Sequence, residues 1–386
     1  MTPTNAPRVA RRRWWTALLI AVALVAAACG GDDDDATDGG DDGSSEAGGD
    51  LTPVKLQLQW FAQSQFAGYY AALEEGYYED EGLDVSILDG GVDIVPQQVL
   101  DSGQAEFAVA WVPKALASNA EGLDIVDVAQ IFQRSGTLQV AWADSDIADP
   151  AGLADTKVGN WGFGNEFELL AGLRDVGLDP DADVEMVQQN FDMQAIIDRD
   201  IDSAQAMIYN ELGVLLETEN SDTGELYQLD ELNIIDWNDV GTAMLQDALW
   251  ARGEWLADED NAETAESFVK ASLRGWAFCR DEPETCVQHV LANGTELDEL
   301  HMTYMMNEIN ALVWPSPDGI GVVDEDAWAQ TVDISIDSEL IPEDPGAEAY
   351  DMSLVTEALE ELEADGVDVR GDGFTPVGTD LSAAAG

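Results

Sequence analysis

LQLQWFAQSQFAGYYAALEEGYYEDEGLDVSILDGG, residues 56–91, changes its hydrophobic period twice. Residues 54–60, VKLQLQW, alternate apolar and polar side chains, the two-residue period of a half-buried strand. Residues 68–82, GYYAALEEGYYEDEG, read as a helix that ends in a loop. Residues 83–90, LDVSILDG, return to a strand. Strand, helix and strand in that order are the unit from which mainly parallel α/β sheets are built.

The same alternation continues outward. VPQQVLDSG (95–103) reads as a helix stopped by glycine, and AEFAVAW (105–111) as a strand. A helix follows at 113–121 and a strand at 125–132. The pattern then restarts. LQVAWADS (138–145), KVGNWG (157–162), VEMVQQ (184–189), SAQAMIYNE (203–211) and LNIIDW (232–237) read as strands. EFELLAGLRDVG (166–177), MQAIIDRD (193–200) and GVLLETEN (213–220) read as the helices between them. From residue 242 the chain reads as helical, through TAMLQDALWARGEWLAD (242–258) to ELDELHMTYMMNEINAL (296–312). So long an ordered body exceeds one small core, and two lobes are the natural division. The Gly- and Ala-rich stretch 371–386 is expected to fray.

The first residues carry an address. Arg8, Arg11, Arg12 and Arg13 precede an apolar run from Trp14 to Ala28, and Ala26, Ala27 and Ala28 lead into Cys29. A basic region, a short apolar region and small residues at the end form a secretory signal. The run is shorter than the roughly 20 residues a membrane span needs. Small residues before Cys-Gly resemble the bacterial lipobox, in which the cysteine takes a lipid; Ala26 stands where that pattern usually has leucine. Residues 1–28 are therefore expected to be a lipoprotein signal peptide, and Cys29 the lipidated start of an extracytoplasmic, membrane-anchored chain. Residues 29–50 follow as GDDDD-type sequence with no apolar side chain larger than alanine beyond the cysteine. Such a segment cannot bury enough surface to fold, and its flexible reach is roughly 25 Å.

Composition excludes whole classes. The chain carries 79 acidic and 15 basic residues, for a formal net charge of −64. Nucleic-acid binding is excluded, because phosphate repels such a surface. Self-repulsion on this scale weakens the fold at low salt, and screening relieves it; the composition suits salty surroundings. Beyond Cys29 only Cys279 and Cys286 remain. An even pair in an exported chain favours a disulfide over two free thiols. No metal-ligand spacing is present, and no Gly-x-Ser-x-Gly or phosphate loop.

Residues 56–91, together with LDSGQAEFAVAW (100–111), VAQIFQRSG (128–136), KVGNWGFGNEF (157–167) and AMIYNE (206–211), resemble solute-binding proteins for thiamine pyrimidine precursors. These are a branch of the nitrate, sulfonate and taurine binding group, and a riboflavin-binding branch looks similar. The similarity runs over residues 54–345. It implies a type II periplasmic-binding-protein fold, two α/β lobes with a hinge. The chain crossings are expected near 139–145 and 237–244. Lobe 1 would combine 51–142 with 243–345, lobe 2 would be 143–242, and 346–386 would be a C-terminal extension. The resemblance implies an ABC permease and ATPase as partners, a small heterocyclic ligand, a monomer, no cofactor and no catalysis. A fungal synthase of the same fold resembles an enzyme that needs an iron site rich in His and Cys. His289, His301 and one Cys pair do not supply it. A lipid-anchored sensor is a third class.

Aromatics recur at strand ends, where such sheets hold ligands. Trp60, Tyr69, Tyr70, Trp111, Trp161 and Tyr209 are the candidates for stacking on a flat heterocycle. Gly162 and Gly164 let the backbone approach closely, ahead of Asn165 and Glu166 at a helix start. Asn165 also suits a plain helix cap. Asn210 and Glu211 offer a second amide and carboxylate. An exocyclic amine donates, so Glu166 or Glu211 is a fitting acceptor. Gln65, Gln133 and Ser135 complete the polar candidates. Lys and Arg are scarce near these loops, which argues against an anionic ligand; Arg134 is the main exception.

Overall fold

The computed structural model describes residues 51–294 and 297–381. The signal peptide, the acidic tether and Cys29 lie outside the described residues. Ten strands run in chain order: β1 (Thr52–Gln57), β2 (Leu83–Leu88), β3 (Phe107–Trp111), β4 (Ile125–Gln130), β5 (Thr137–Trp142), β6 (Lys157–Asn160), β7 (Glu185–Gln188), β8 (Ser203–Met207), β9 (Leu232–Asp236) and β10 (Asp247–Arg252). They form two five-stranded sheets of the same design, β2-β1-β3-β10-β4 and β7-β6-β8-β5-β9. In the first, β1 is parallel to β2 and β3, and β10 is antiparallel to β3 and β4. In the second, β6 is parallel to β7 and β8, and β5 is antiparallel to β8 and β9. Each antiparallel strand is the one that arrives after a crossing between the sheets.

Those crossings are residues 131–136 and 237–246. The first lies upstream of the expected 139–145, because all of Thr137–Trp142 is hydrogen-bonded between β8 and β9. A larger correction concerns 242–258, read above as helical. Asp247–Arg252 is a strand, and its side chains are buried on both faces. A short apolar run buried on both sides carries no period, so the sequence does not separate strand from helix there.

The helices cover the sheets. Ala67–Glu74 packs on Glu259–Asp281 so closely that a Cβ on Gly68 would overlap the Trp276 ring. Cys279 and Cys286 are bonded (S–S 1.98 Å) and fully buried, tying Glu259–Asp281 to the helix Pro283–Ala292. The expected extension beyond 345 is part of the first lobe's packing. Val355, Leu359 and Leu362 of the helix Ser353–Ala364 join the core, and Lys270 on Glu259–Asp281 pairs with Glu361 at 2.7 Å and Glu81 at 2.8 Å. No helix among the described residues is long and apolar enough to cross a membrane.

Candidate functional site: the cleft between the lobes

The two crossings are stitched to each other. Asn238 donates to the Ser135 carbonyl at 2.8 Å and accepts from the Ser135 N–H at 3.1 Å. The Gln246 side chain accepts from the Gly136 N–H at 2.8 Å and donates to Thr137 Oγ1 at 2.6 Å. Glu168, buried beside them, accepts from the Met244 N–H at 2.6 Å. Burial pushes its carboxyl up to about 7, against hydrogen bonds from Met244, Ser135 and Thr137. Ser135 thus ties the two crossings together.

The cleft floor on the first lobe follows from sheet polarity. The parallel strands end at the cleft, and an antiparallel neighbour must begin there. Asp247, the first residue of β10, therefore pairs with Trp111, the last of β3. Its carboxylate is only 2% exposed. Oδ1 accepts from Gln59 Nε2 at 2.7 Å and Trp111 Nε1 at 2.8 Å; Oδ2 accepts from Gln65 Nε2 at 2.9 Å. Burial pushes this carboxyl up to about 7, opposed by the three hydrogen bonds and by the charge of Lys114. Lys114 lies over the Trp111 ring, 4.8 Å from its centroid, and burial pushes its amine down to about 8 against the attraction of Glu166 and Asp247.

The second lobe supplies the facing wall. Lys114 Nζ reaches across to Asn165 Oδ1 at 2.7 Å. Asn165 sits in a turn that needs the left-handed conformation at Gly162, Phe163 and Gly164. Its amide donates to the Gly162 carbonyl at 2.7 Å, and its own carbonyl accepts from Gln205. Glu166 accepts from the Gly164 N–H at 3.0 Å. Trp161 stacks on Phe191 (5.7 Å, 21°), and Phe191 meets Trp60 of the first lobe at 5.2 Å. Trp161, Met207 and Tyr209 share one buried cluster with first-lobe side chains such as Tyr69 and Phe132. The Trp161 indole N–H is buried with no acceptor among the described residues.

This architecture has relatives. The profile of the family described as "NMT1/THI5 like" matches residues 63–286, more than half of the chain. The chain belongs to the NMT1/THI5-like family. It is 22% identical to the formylaminopyrimidine-binding protein of Halalkalibacterium halodurans over 73% of this chain and 84% of that one. It is 27% identical to the riboflavin-binding protein RibY of Chloroflexus aurantiacus over 73% and 79%. Among solved structures, the nitrate-binding protein NrtA of Synechocystis PCC 6803 superposes with a TM-score of 0.60 at 16% identity, over 82% of this chain and 91% of that one. The fold is the periplasmic-binding-protein fold these structures share.

In this NMT1/THI5-like chain, Trp60, Gln65, Tyr69, Trp111, Trp161, Asn165, Glu166 and Tyr209 stand at or beside the cleft. The other candidates are engaged elsewhere. Tyr70 is buried in the first-lobe core. Gln133 holds the Gln130 and Val322 carbonyls at 2.8 and 3.2 Å. Glu211 spends its two oxygens on the Met207 N–H and the Asn210 amide, each at 3.0 Å, and burial pushes it up to about 7. Asn210 Oδ1 faces His301 Nε2 at 3.0 Å, while Glu217 faces His301 Nδ1 at 2.9 Å. That histidine, on the helix Glu299–Val313 of the first lobe, fastens the second lobe away from the hinge. Arg134 donates to the carbonyls of Ala311, Leu312, Trp314 and Pro315 and is a structural cation.

Sequence reasoning missed Gln59, Lys114, Phe191, Gln205 and Asp247. The signal for Lys114 was present: it is one of four lysines in the chain and falls three residues after Trp111. Asp247 was hidden inside a segment read as helical.

Proposed function

We propose that this chain is the extracytoplasmic solute-binding component of an ABC importer, and that its lobes close on a thiamine pyrimidine precursor of the hydroxymethylpyrimidine or formylaminopyrimidine type. The observation that carries the reading is the cleft itself. Trp60 and Trp111 from one lobe and Trp161 and Tyr209 from the other gather around a floor that holds a carboxylate. A flat heterocycle stacks on such walls, each aromatic pair adding about 0.5–1.5 kcal/mol beyond its buried area. The unpartnered Trp161 N–H suits a ring-nitrogen acceptor, and Asp247 suits an amine donor. The resemblance to a formylaminopyrimidine-binding protein supports the cargo, and the resemblance to RibY favours riboflavin as the second reading.

The mechanism is binding without chemistry. Ligand meets the first lobe, the crossings flex, and the second lobe buries it. Permease and ATPase then receive the closed form, a monomer tethered to the membrane by lipid on Cys29. His289 and His301 are each engaged by a carboxylate in separate places, with Glu75 at 2.8 Å and Glu217 at 2.9 Å, an arrangement that suits packing better than catalysis.

The test is calorimetric titration of the mature chain in high salt with hydroxymethylpyrimidine, formylaminopyrimidine, riboflavin, taurine and nitrate. Tight binding of a pyrimidine, weakened in Trp161→Ala while the fold persists, is the expected result. Binding of riboflavin alone changes the cargo. Binding of nitrate or taurine alone overturns the reading of the cleft. Retention in membranes of cells expressing Cys29→Ser would remove the lipid anchor from the proposal.

A further inference from the structure

We infer that Asp247 is the specificity-determining residue of the cleft: it admits ligands that present an N–H donor and rejects anions. The inference rests on the cleft being the ligand site, and it deepens that reading by naming the chemistry selected.

Three features carry it. First, the carboxylate is placed by the topology of the sheet. It opens the antiparallel strand, and its backbone carbonyl accepts from the N–H groups of Ile131 and Phe132, both at 3.1 Å, in the other crossing. Those bonds fix the backbone from which the side chain projects, and Gln59, Trp111 and Gln65 hold the side chain itself. Second, its hydrogen bonding is incomplete. Two carboxylate oxygens offer about four acceptor positions, and Gln59, Trp111 and Gln65 fill three of them. All three donors are neutral. The place left over is on Oδ2, and a further N–H would complete it. Third, the surrounding charge is negative on balance. Lys114 acts on Asp247, and Asp247 and Glu166 act on Lys114; burial raises Tyr69 and Tyr209, and Asp247 raises both further, together with Asp127 at the first and Glu211 at the second. Two carboxylates thus share one ammonium, and that ammonium donates to Asn165. An anion entering here meets the Asp247 carboxyl, and the ammonium beside it, Lys114, is already attracted by both Asp247 and Glu166. Arg134, the one guanidinium near the loops, is held by four carbonyls.

Asp247 also orients the wall. By taking the Nε2 groups of Gln59 and Gln65, it fixes both amides, and it fixes the Trp111 ring through Nε1. A site built around a hydrogen bond rejects the analogue that lacks it far more strongly than a hydrophobic pocket rejects a methylene.

The test uses the mature chain and two probes, an aminopyrimidine (4-amino-5-hydroxymethyl-2-methylpyrimidine) and its deamino counterpart, in which hydrogen replaces the amine and no N–H remains. The wild type should prefer the amine by about 10- to 100-fold, the range for a hydrogen bond to a charged group. Asp247→Asn should lose most of that preference, with a circular dichroism spectrum like that of the wild type. Equal binding of the two probes by the wild type overturns the inference without any variant, so a variant that fails to fold leaves the test intact. If neither pyrimidine binds, the proposed cargo fails but the inference is still decided. It stands if the ligand found is a neutral or cationic N–H donor such as riboflavin that Asp247→Asn binds more weakly, and it falls if the wild type takes up nitrate or taurine.

Discussion

Four buried carboxyls make the stability of this protein depend on pH with an unusual sign. Burial pushes Glu168, Glu211 and Asp247 up to about 7, and raises Asp127 well above the ordinary carboxylate range. In the unfolded chain each ionises near pH 4. Between about pH 5 and 6.5 these four groups therefore give the folded protein up to four more protons than the unfolded one, and the half-buried Glu308, also pushed up to about 7, adds a fifth. Stability must fall as pH rises through that window, by about 1.4 kcal/mol per pH unit for each group and about 5 kcal/mol per unit for four. The larger figure is a ceiling, because relaxation around buried charges shrinks such penalties. The contribution is complete below about pH 4 and is lost above about pH 7 for the three acids nearest that value.

The assay is urea unfolding followed by tryptophan fluorescence, at half-unit steps from pH 5 to 7.5. High salt screens the surface acids, whose mutual repulsion acts in the same direction. Glu168→Gln isolates one group. It keeps an acceptor for the Met244 N–H and should reduce the slope by about 1.4 kcal/mol per pH unit between pH 5.5 and 6.5. A wild-type curve that is level or rises over this window would refute the reasoning. So would a glutamine variant whose curve runs parallel to the wild type.

Other expectations follow from packing and charge. Replacing both Cys279 and Cys286 by serine reopens a short loop, with a separation of 7 residues; the loss should be about 2.5 kcal/mol in urea unfolding. Gly68→Ala drives a methyl group into the Trp276 ring, and overpacking of this kind costs about 1–3 kcal/mol; ligand affinity, measured by calorimetry, should hold. With a net charge of −64, the melting temperature should climb as sodium chloride is raised from low to molar concentration. A flat salt profile would contradict adaptation of the fold to screening.

Much of the α/β alternation was legible because half-buried strands and surface helices carry distinct periods. Residues 54–60 alternate, and the strand beginning at Thr52 is where that reading places one. The helix read at 68–82 is broken at Gly76, which takes φ 76 between Ala67–Glu74 and Tyr77–Asp80; a glycine in a helical pattern permits such a break without requiring it. β10 failed for the opposite reason. ALWA is apolar throughout, and neither period can be read from it.

The candidate site divides along the same line. Aromatic residues at strand ends were visible because a strand's end can be placed from its period. Trp60, Trp111 and Trp161 therefore stood out, and the structure sets them at the cleft. Acids were not distinguishable, since 79 of them are spread along the chain. Glu211 looked as available as Asp247, yet one is consumed by its own helix start and the other gathers Gln59, Gln65 and Trp111 where the crossing enters the first sheet.

The sequence by itself determined the alternating α/β architecture, and it set the export signal and the absence of nucleic-acid binding as expectations. Each depends on residue type and local spacing. Tertiary structure alone decided where the chain crosses, that Asp247 lies beside Trp111, and that Lys114 meets Asn165 across the cleft. Asp247 and Trp111 are neighbours only because an antiparallel strand was inserted into a parallel sheet. Residues 136 positions apart come together there, and no local pattern records a pairing that the register of the finished sheet creates.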